Sequence, residues 1–142
     1  QKDSYKANQV SIQIKTAEAW ILLKEGKANE AIKQMAVAAT MEDNTEKHAV
    51  TPGEVIPAKE LLGDMLLQLN KPADALVAYE ADLQKHANRF NGLYGAAVTS
   101  EKINNIDKAG YYYKQLLAVA NSPNANRPEL EKAKLFLKKD GK

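Results

Sequence analysis

"LLGDMLLQLNKPADALVAYE", Leu61 to Glu80, is the stretch that decides the fold. Leu62, Leu66 and Leu69 step by four and three, which is one face of a helix, and Leu76, Tyr79 and Leu83 do the same beyond a break. The break is "NKP", Asn70 to Pro72. Asn70 is a turn residue, and Pro72 suits the first position of a helix, where no N–H donor is needed and φ is already helical. The stretch therefore reads as helix, tight turn, helix.

The same frame recurs on either side. "GKANEAIKQMAVA" (26–38), "NKPADALVAYEAD" (70–82) and "NNIDKAGYYYKQL" (104–116) each open on a turn residue, Gly26, Asn70 or Asn104. Five residues on, each has alanine: Ala31, Ala75, Ala109. Four beyond that comes a large side chain: Met35, Tyr79, Tyr113. The second and third units are 34 residues apart and the first and second 44, so ten extra residues lie between units one and two. In the preceding helices Ala19, Gly63 and Ala97 share one position, where two helices crossing closely require a small residue.

A 34-residue helix–turn–helix period resembles the tetratricopeptide repeat. The resemblance covers residues 12 to 121 and implies an all-α superhelix of three helix pairs, about 12–45, 56–89 and 90–123, in one domain. "RPELEKAKLFLKK" then reads as a C-terminal capping helix, about 127–139, with a polar outer side. The breakers predict helices from near Ser4 to Gly26, and over 28–41, 57–70, 72–86, 89–103, 106–121 and from Pro128 to before Gly141, with Asn105 capping the sixth. Val10, Ile14, Ala17 and Ile21 form one apolar face of the first helix. The run "EDNTEKHAVTPGEVIPAKELLGDML" with "NRFNGLYGAA" also resembles the C-terminal part of a group of larger bacterial tetratricopeptide proteins. That resemblance implies further helices upstream and no activity.

Composition narrows the function. Cysteine is absent, which removes thiolate catalysis and Cys-based zinc sites. Twenty Lys and Arg against eighteen Asp and Glu give a net charge of +2, too small to imply a nucleic-acid surface. No apolar run reaches the roughly 20 residues of a membrane helix, and no phosphate loop or nucleophile motif occurs. The expectation is a protein that is not an enzyme and needs no cofactor. The chain begins at Gln1 rather than Met, which leaves a removed leader and a longer parent chain both open, and with them cytoplasmic and exported localisations.

The insert, about 43–55, is the best place to look for chemistry. His48 with Glu46, Glu54, Glu60 or Asp64 would be a workable metal set, but the spacing matches no recognised ligand pattern, so no metal is assigned and His48 is read as an anchor of the insert. Thr51 and Glu54 make a capping box with Pro52 at the first helical position, and Val50, Val55 and Ile56 are expected to tuck against the first unit. Pro57 forbids one continuous helix and opens the next.

In the repeat family the first helix of each pair lines a concave groove. Carried over position by position, the inward residues are Thr16, Trp20, Leu23 and Lys24; then Glu60, Asp64, Leu67 and Gln68; then Asn91, Tyr94, Val98 and Glu101. Thr16, Trp20, Glu60, Asp64, Gln68, Asn91 and Tyr94 are the candidate contact residues: aromatic anchors around a paired acid. Family members that grip a terminal carboxylate use cations and amides where this groove has acids. A basic or amphipathic protein segment is therefore the expected partner. The competing expectation is a structural module that ends a longer superhelix or self-associates.

Overall fold

The computed structural model describes residues 2–45, 56–120 and 127–140. Among them are seven α-helices and no strand: α1 (Lys2–Lys24), α2 (Ala28–Asp43), α3 (Ala58–Gln68), α4 (Pro72–Leu83), α5 (Phe90–Lys102), α6 (Ile106–Val119) and α7 (Pro128–Asp140). His48, Thr51, Glu54 and most of the insert lie outside the described residues.

The three pairs turn in the same way. Gly26, Asn70 and Asn104 have φ of 80°, 56° and 59°. One residue on, Lys27, Lys71 and Asn105 donate their N–H groups back to the carbonyls of Leu22, Leu66 and Ser100, at 2.9, 2.9 and 2.8 Å. This six-residue closure ends a helix on a left-handed residue, a conformation that glycine and asparagine adopt most readily. The next helix starts at once, so each pair is antiparallel. Asn105 then caps α6, its side-chain oxygen accepting from the Lys108 N–H at 3.2 Å.

Helices neighbouring in the chain pack together throughout, and α3 also touches both α1 and α5. The first helices of the pairs form one layer, the second helices the other, and α7 closes the stack on α6 through buried Leu130 and Ala133. The repeat frame is the core: Ala31, Ala75 and Ala109 are fully buried, as are Met35 and Tyr113, with Tyr79 1% exposed. Tyr79 is the tightest element. A Cβ on Gly63 would stand 2.7 Å from its ring, and a Cβ on Gly95, in the next unit, would stand 2.4 Å from it. Two glycines on two helices thus make the slot that one ring fills.

The apolar face of α1 is present but bare, and two local expectations change. Val10, Ile14 and Ile21 are 54%, 52% and 57% exposed, and α1 instead buries Ile12 and Ala19. α2 covers that opposite side, and no described helix precedes α1 to cover the stripe. Pro57 does not open α3 but precedes it with extended backbone, φ −59° and ψ 138°. The cap comes from a distance: both carboxylate oxygens of Glu42, at the end of α2, accept the Ala58 N–H at 3.1 Å. An acid at a helix N-terminus also complements the helix dipole. Ile56, expected to tuck inward, is 47% exposed.

The glycine slot makes a stability prediction. Gly95→Ala should destabilise the protein by about 1–3 kcal/mol, the cost of overpacking a filled core. Adding Tyr79→Leu should be markedly less harmful in that variant than in wild type, because the two sites share one space. Chemical denaturation of the four proteins measures both terms.

Candidate partner-binding groove

The expected groove residues sit on α1, α3 and α5, the layer of first helices. Asp64, Gln68 and Asn91 are exposed, whereas Thr16, Trp20 and Tyr94 are half-buried. Trp20 packs against Ala19, Ala31, Met35 and Met65, and Tyr94 packs against the cluster that holds Leu93, Ala97 and Tyr113. Both aromatics therefore serve the core with one side and present the other. Thr16 turns its hydroxyl to the Gln13 carbonyl of its own helix at 2.7 Å. It lines a cavity of about 340 Å³ between α1 and α3, with Gln9, Gln13, Glu42 and Leu61. At the other end, a cavity of about 570 Å³ is lined by Glu101, Lys132, Leu135, Phe136 and Lys139.

Glu60 is not a groove residue. It is 1% exposed, and Arg89 holds it with two bonds, Nε to Oε2 at 2.7 Å and Nη2 to Oε1 at 3.1 Å. Beside it Asp82, also 1% exposed, meets His86 Nδ1 at 2.8 Å. Gly92 packs over both acids, its Cβ position 3.6 Å from Asp82 Oδ2 and from Glu60 Oε2. Burial holds the Asp82 carboxyl above the usual carboxylate range, against the opposing pull of His86. Its buried Oδ2 accepts no hydrogen bond, which fits that direction. The expected acidic pair is thus split: Glu60 joins the second unit to the third, and Asp64 alone faces outward.

Two tyrosines of the repeat frame do more than fill the core. The Tyr79 ring is buried in its glycine slot, but its hydroxyl donates to Asp64 Oδ1 at 2.5 Å. One unit on, the Tyr113 hydroxyl donates to Glu101 Oε2 at 2.9 Å. In both, a second helix passes a phenol through to an acid on a first helix. A buried phenol must find an acceptor, and that requirement was the available signal. In unit one the same position is Met35, which has nothing to donate. Glu101 also pairs with Lys132 of α7 at 3.0 Å. For Asp64, no cation lies within ion-pair distance among the described residues. The ring wall strips water from one side of Asp64, and this burial, with the Glu60 charge nearby, lifts its carboxyl above the ordinary range despite the Tyr79 bond.

Away from this face, on the second helices, Tyr112 donates to Glu80 at 2.8 Å and meets Tyr111 edge-on. Tyr111 is 58% exposed.

Removing the Arg89 guanidinium leaves Glu60 buried without its main partner. Arg89→Met should cost about 3–5 kcal/mol. Glu60→Gln in the same chain should return a large part of it, because the stranded charge goes with it. Urea denaturation curves of the single and double variants measure this directly.

No family model and no curated protein matches the sequence. Solved structures do match. PcrH from Pseudomonas aeruginosa is similar with a TM-score of 0.67 at 16% identity, over 93% of this chain and 92% of that one. PcrH in complex with the chaperone binding region of PopB gives 0.66 at 16% identity, over 89% and 94%. The TPR domain of P58(IPK) gives 0.62 at 22% identity, over 94% of this chain and 36% of that one. The repeat frame, the three left-handed turns and these likenesses together make the fold of this chain that of a tetratricopeptide-repeat protein.

Proposed function

We propose that the layer of first helices binds a protein segment carrying basic residues, and that the chain acts as a non-catalytic interaction scaffold. Asp64 carries the reading. It is an exposed acid, held in place by a buried phenol, partly stripped of water, and without a cation within ion-pair distance among the described residues. Such a carboxylate gains most from an incoming lysine or arginine, because the attraction is stronger where water is partly excluded. Trp20 and Tyr94 supply apolar contact on either side, with Gln68, Asn91 and Thr16 as hydrogen-bonding neighbours. Glu60, being buried, takes part only by positioning the third unit. The neighbour PcrH, crystallised with a region of PopB, is a protein of this fold that holds a protein segment, which supports the same use here.

The experiment is fluorescence anisotropy with labelled amphipathic peptides, one lysine-rich and one with glutamate in place of lysine. The lysine peptide should bind more tightly and lose affinity with salt. Asp64→Asn keeps an acceptor for Tyr79 and should weaken that peptide by about 5- to 10-fold, the scale of one lost charge-assisted contact. Tyr94→Ala should weaken both peptides. Equal binding of both peptides, or no change with Asp64→Asn, would sink the proposal.

The pH dependence has a definite sign. Burial holds the Asp64 carboxyl above the ordinary carboxylate range, so it takes up a proton earlier on acidification than an unperturbed aspartate does. Affinity for the lysine peptide should fall as pH drops through that raised value. The Asp64→Asn variant should lack that component.

A further inference from the structure

We infer that the cleft between α4, α6 and the connection from α4 to α5 binds a neutral sugar ring, stacked on Tyr111. The cleft holds about 380 Å³. Ligand pockets occupy roughly 300–1,000 Å³. Leu83 and Leu93, half-buried and buried, give it an apolar floor. None of the groove candidates lines it, so it is independent of the groove reading.

Both walls are fixed by bonds within the chain. On one side Lys108 and Tyr112 of α6 both reach Glu80 of α4, at 2.6 and 2.8 Å. On the other, the connection is a run of turns. The N–H groups of Lys85 and His86 donate to the Asp82 carbonyl, each at 2.9 Å, and the Arg89 N–H donates to the His86 carbonyl at 3.1 Å. The His86 and Arg89 side chains turn inward to the buried acids Asp82 and Glu60. Gln84, Ala87 and Asn88 are left exposed and line the cleft. The ion pairs under this connection therefore also hold the wall of the cleft, and a wall held in advance lowers the ordering cost of binding.

The lining selects the ligand. Gln84, Asn88 and Gln115 bring three amides to the cleft, and among the described residues none of these side chains makes a hydrogen bond. Each amide offers an acceptor oxygen and two donor N–H bonds. A ligand that uses both must donate and accept around its rim, as the hydroxyls of a sugar do. The carbonyls of a proline-rich segment only accept, which leaves the amide oxygens unmatched. Charge points the same way. Glu80 is the one charged residue lining the cleft among the described residues, and Lys108 is already its counter-ion, so neither an anion nor a cation finds a free opposite charge. Tyr111 is 58% exposed and meets Tyr112 edge-on, centroids 5.1 Å apart and planes at 74°. That contact holds the ring while leaving most of it open. The face of an aromatic ring is negative and attracts the slightly positive C–H bonds on the flat side of a pyranose.

The test is 1H–15N NMR of the 142-residue chain, titrated with methyl glucoside, cellobiose and maltose. An open cleft that takes one ring should bind at least one of them with a Kd of about 1–10 mM. The side-chain NH2 signals of Gln84, Asn88 and Gln115 should move together along one binding curve. Tyr111→Ala should weaken binding by about 5- to 10-fold, the scale of one aromatic contact, whereas Tyr111→Phe keeps the ring and should retain it. Asn88→Ala should weaken it by about 3- to 10-fold, the loss of one or two hydrogen bonds. Glycerol, which has hydroxyls but no ring, should leave the signals in place. Still amide signals with all three sugars overturn the inference. Equal movement with glycerol, or binding unchanged by Tyr111→Ala, overturns it too. A response to a polyproline peptide and none to the sugars assigns the cleft to a protein segment instead.

Discussion

Everything in the middle of this molecule is arranged around the ring of Tyr79. It rises from α4 and fills a slot whose two walls, Gly63 on α3 and Gly95 on α5, would each collide with it if they had a Cβ. One wall belongs to its own unit and the other to the next. The ring therefore sets both the crossing within a pair and the stacking between pairs. Its hydroxyl emerges on the far side and holds Asp64. Core packing and the placing of the outward-facing acid meet in one side chain, so the layer of first helices inherits its geometry from the core.

A second constraint sits alongside. Glu60 and Asp82 are both buried acids, on α3 and α4, and their partners Arg89 and His86 lie in the short connection to α5. A buried ion pair of this kind adds little net stability, but breaking it is expensive. Its consequence is angular: α5 cannot move relative to α3 without stranding a charge. The apolar slot sets the depth of approach, and the Glu60–Arg89 pair ties α3 to the start of α5. Together they make the second and third units a rigid platform for Asp64, Asn91 and Tyr94.

The electrostatics of the candidate face follow from the same plan. Asp64 and Glu101 on the first helices are each held by a phenol from behind, which orients them without neutralising them. Glu101 already has Lys132, whereas Asp64 has no cation within ion-pair distance among the described residues. Unit one lacks the device, because Met35 replaces tyrosine, and offers Trp20 instead.

The sequence by itself determined the repeat. Local periodicity, left-handed turn residues and small residues at helix crossings are all set by contacts within a few residues or within one 34-residue unit, so Gly26, Asn70, Asn104, Ala75 and Gly63 could be placed from spacing alone. Tertiary structure decided what each polar side chain does. Glu60 and Asp64 are one helical turn apart and look alike in sequence, yet one is sealed under Arg89 from 29 residues away and the other faces out. Likewise Glu42 caps a helix across the insert. The stripe on α1 has the pattern of a core face and is bare only because no described helix covers it. Periodicity tells which residues share a side; whether that side is covered depends on which distant element arrives, and the local chain carries no record of that.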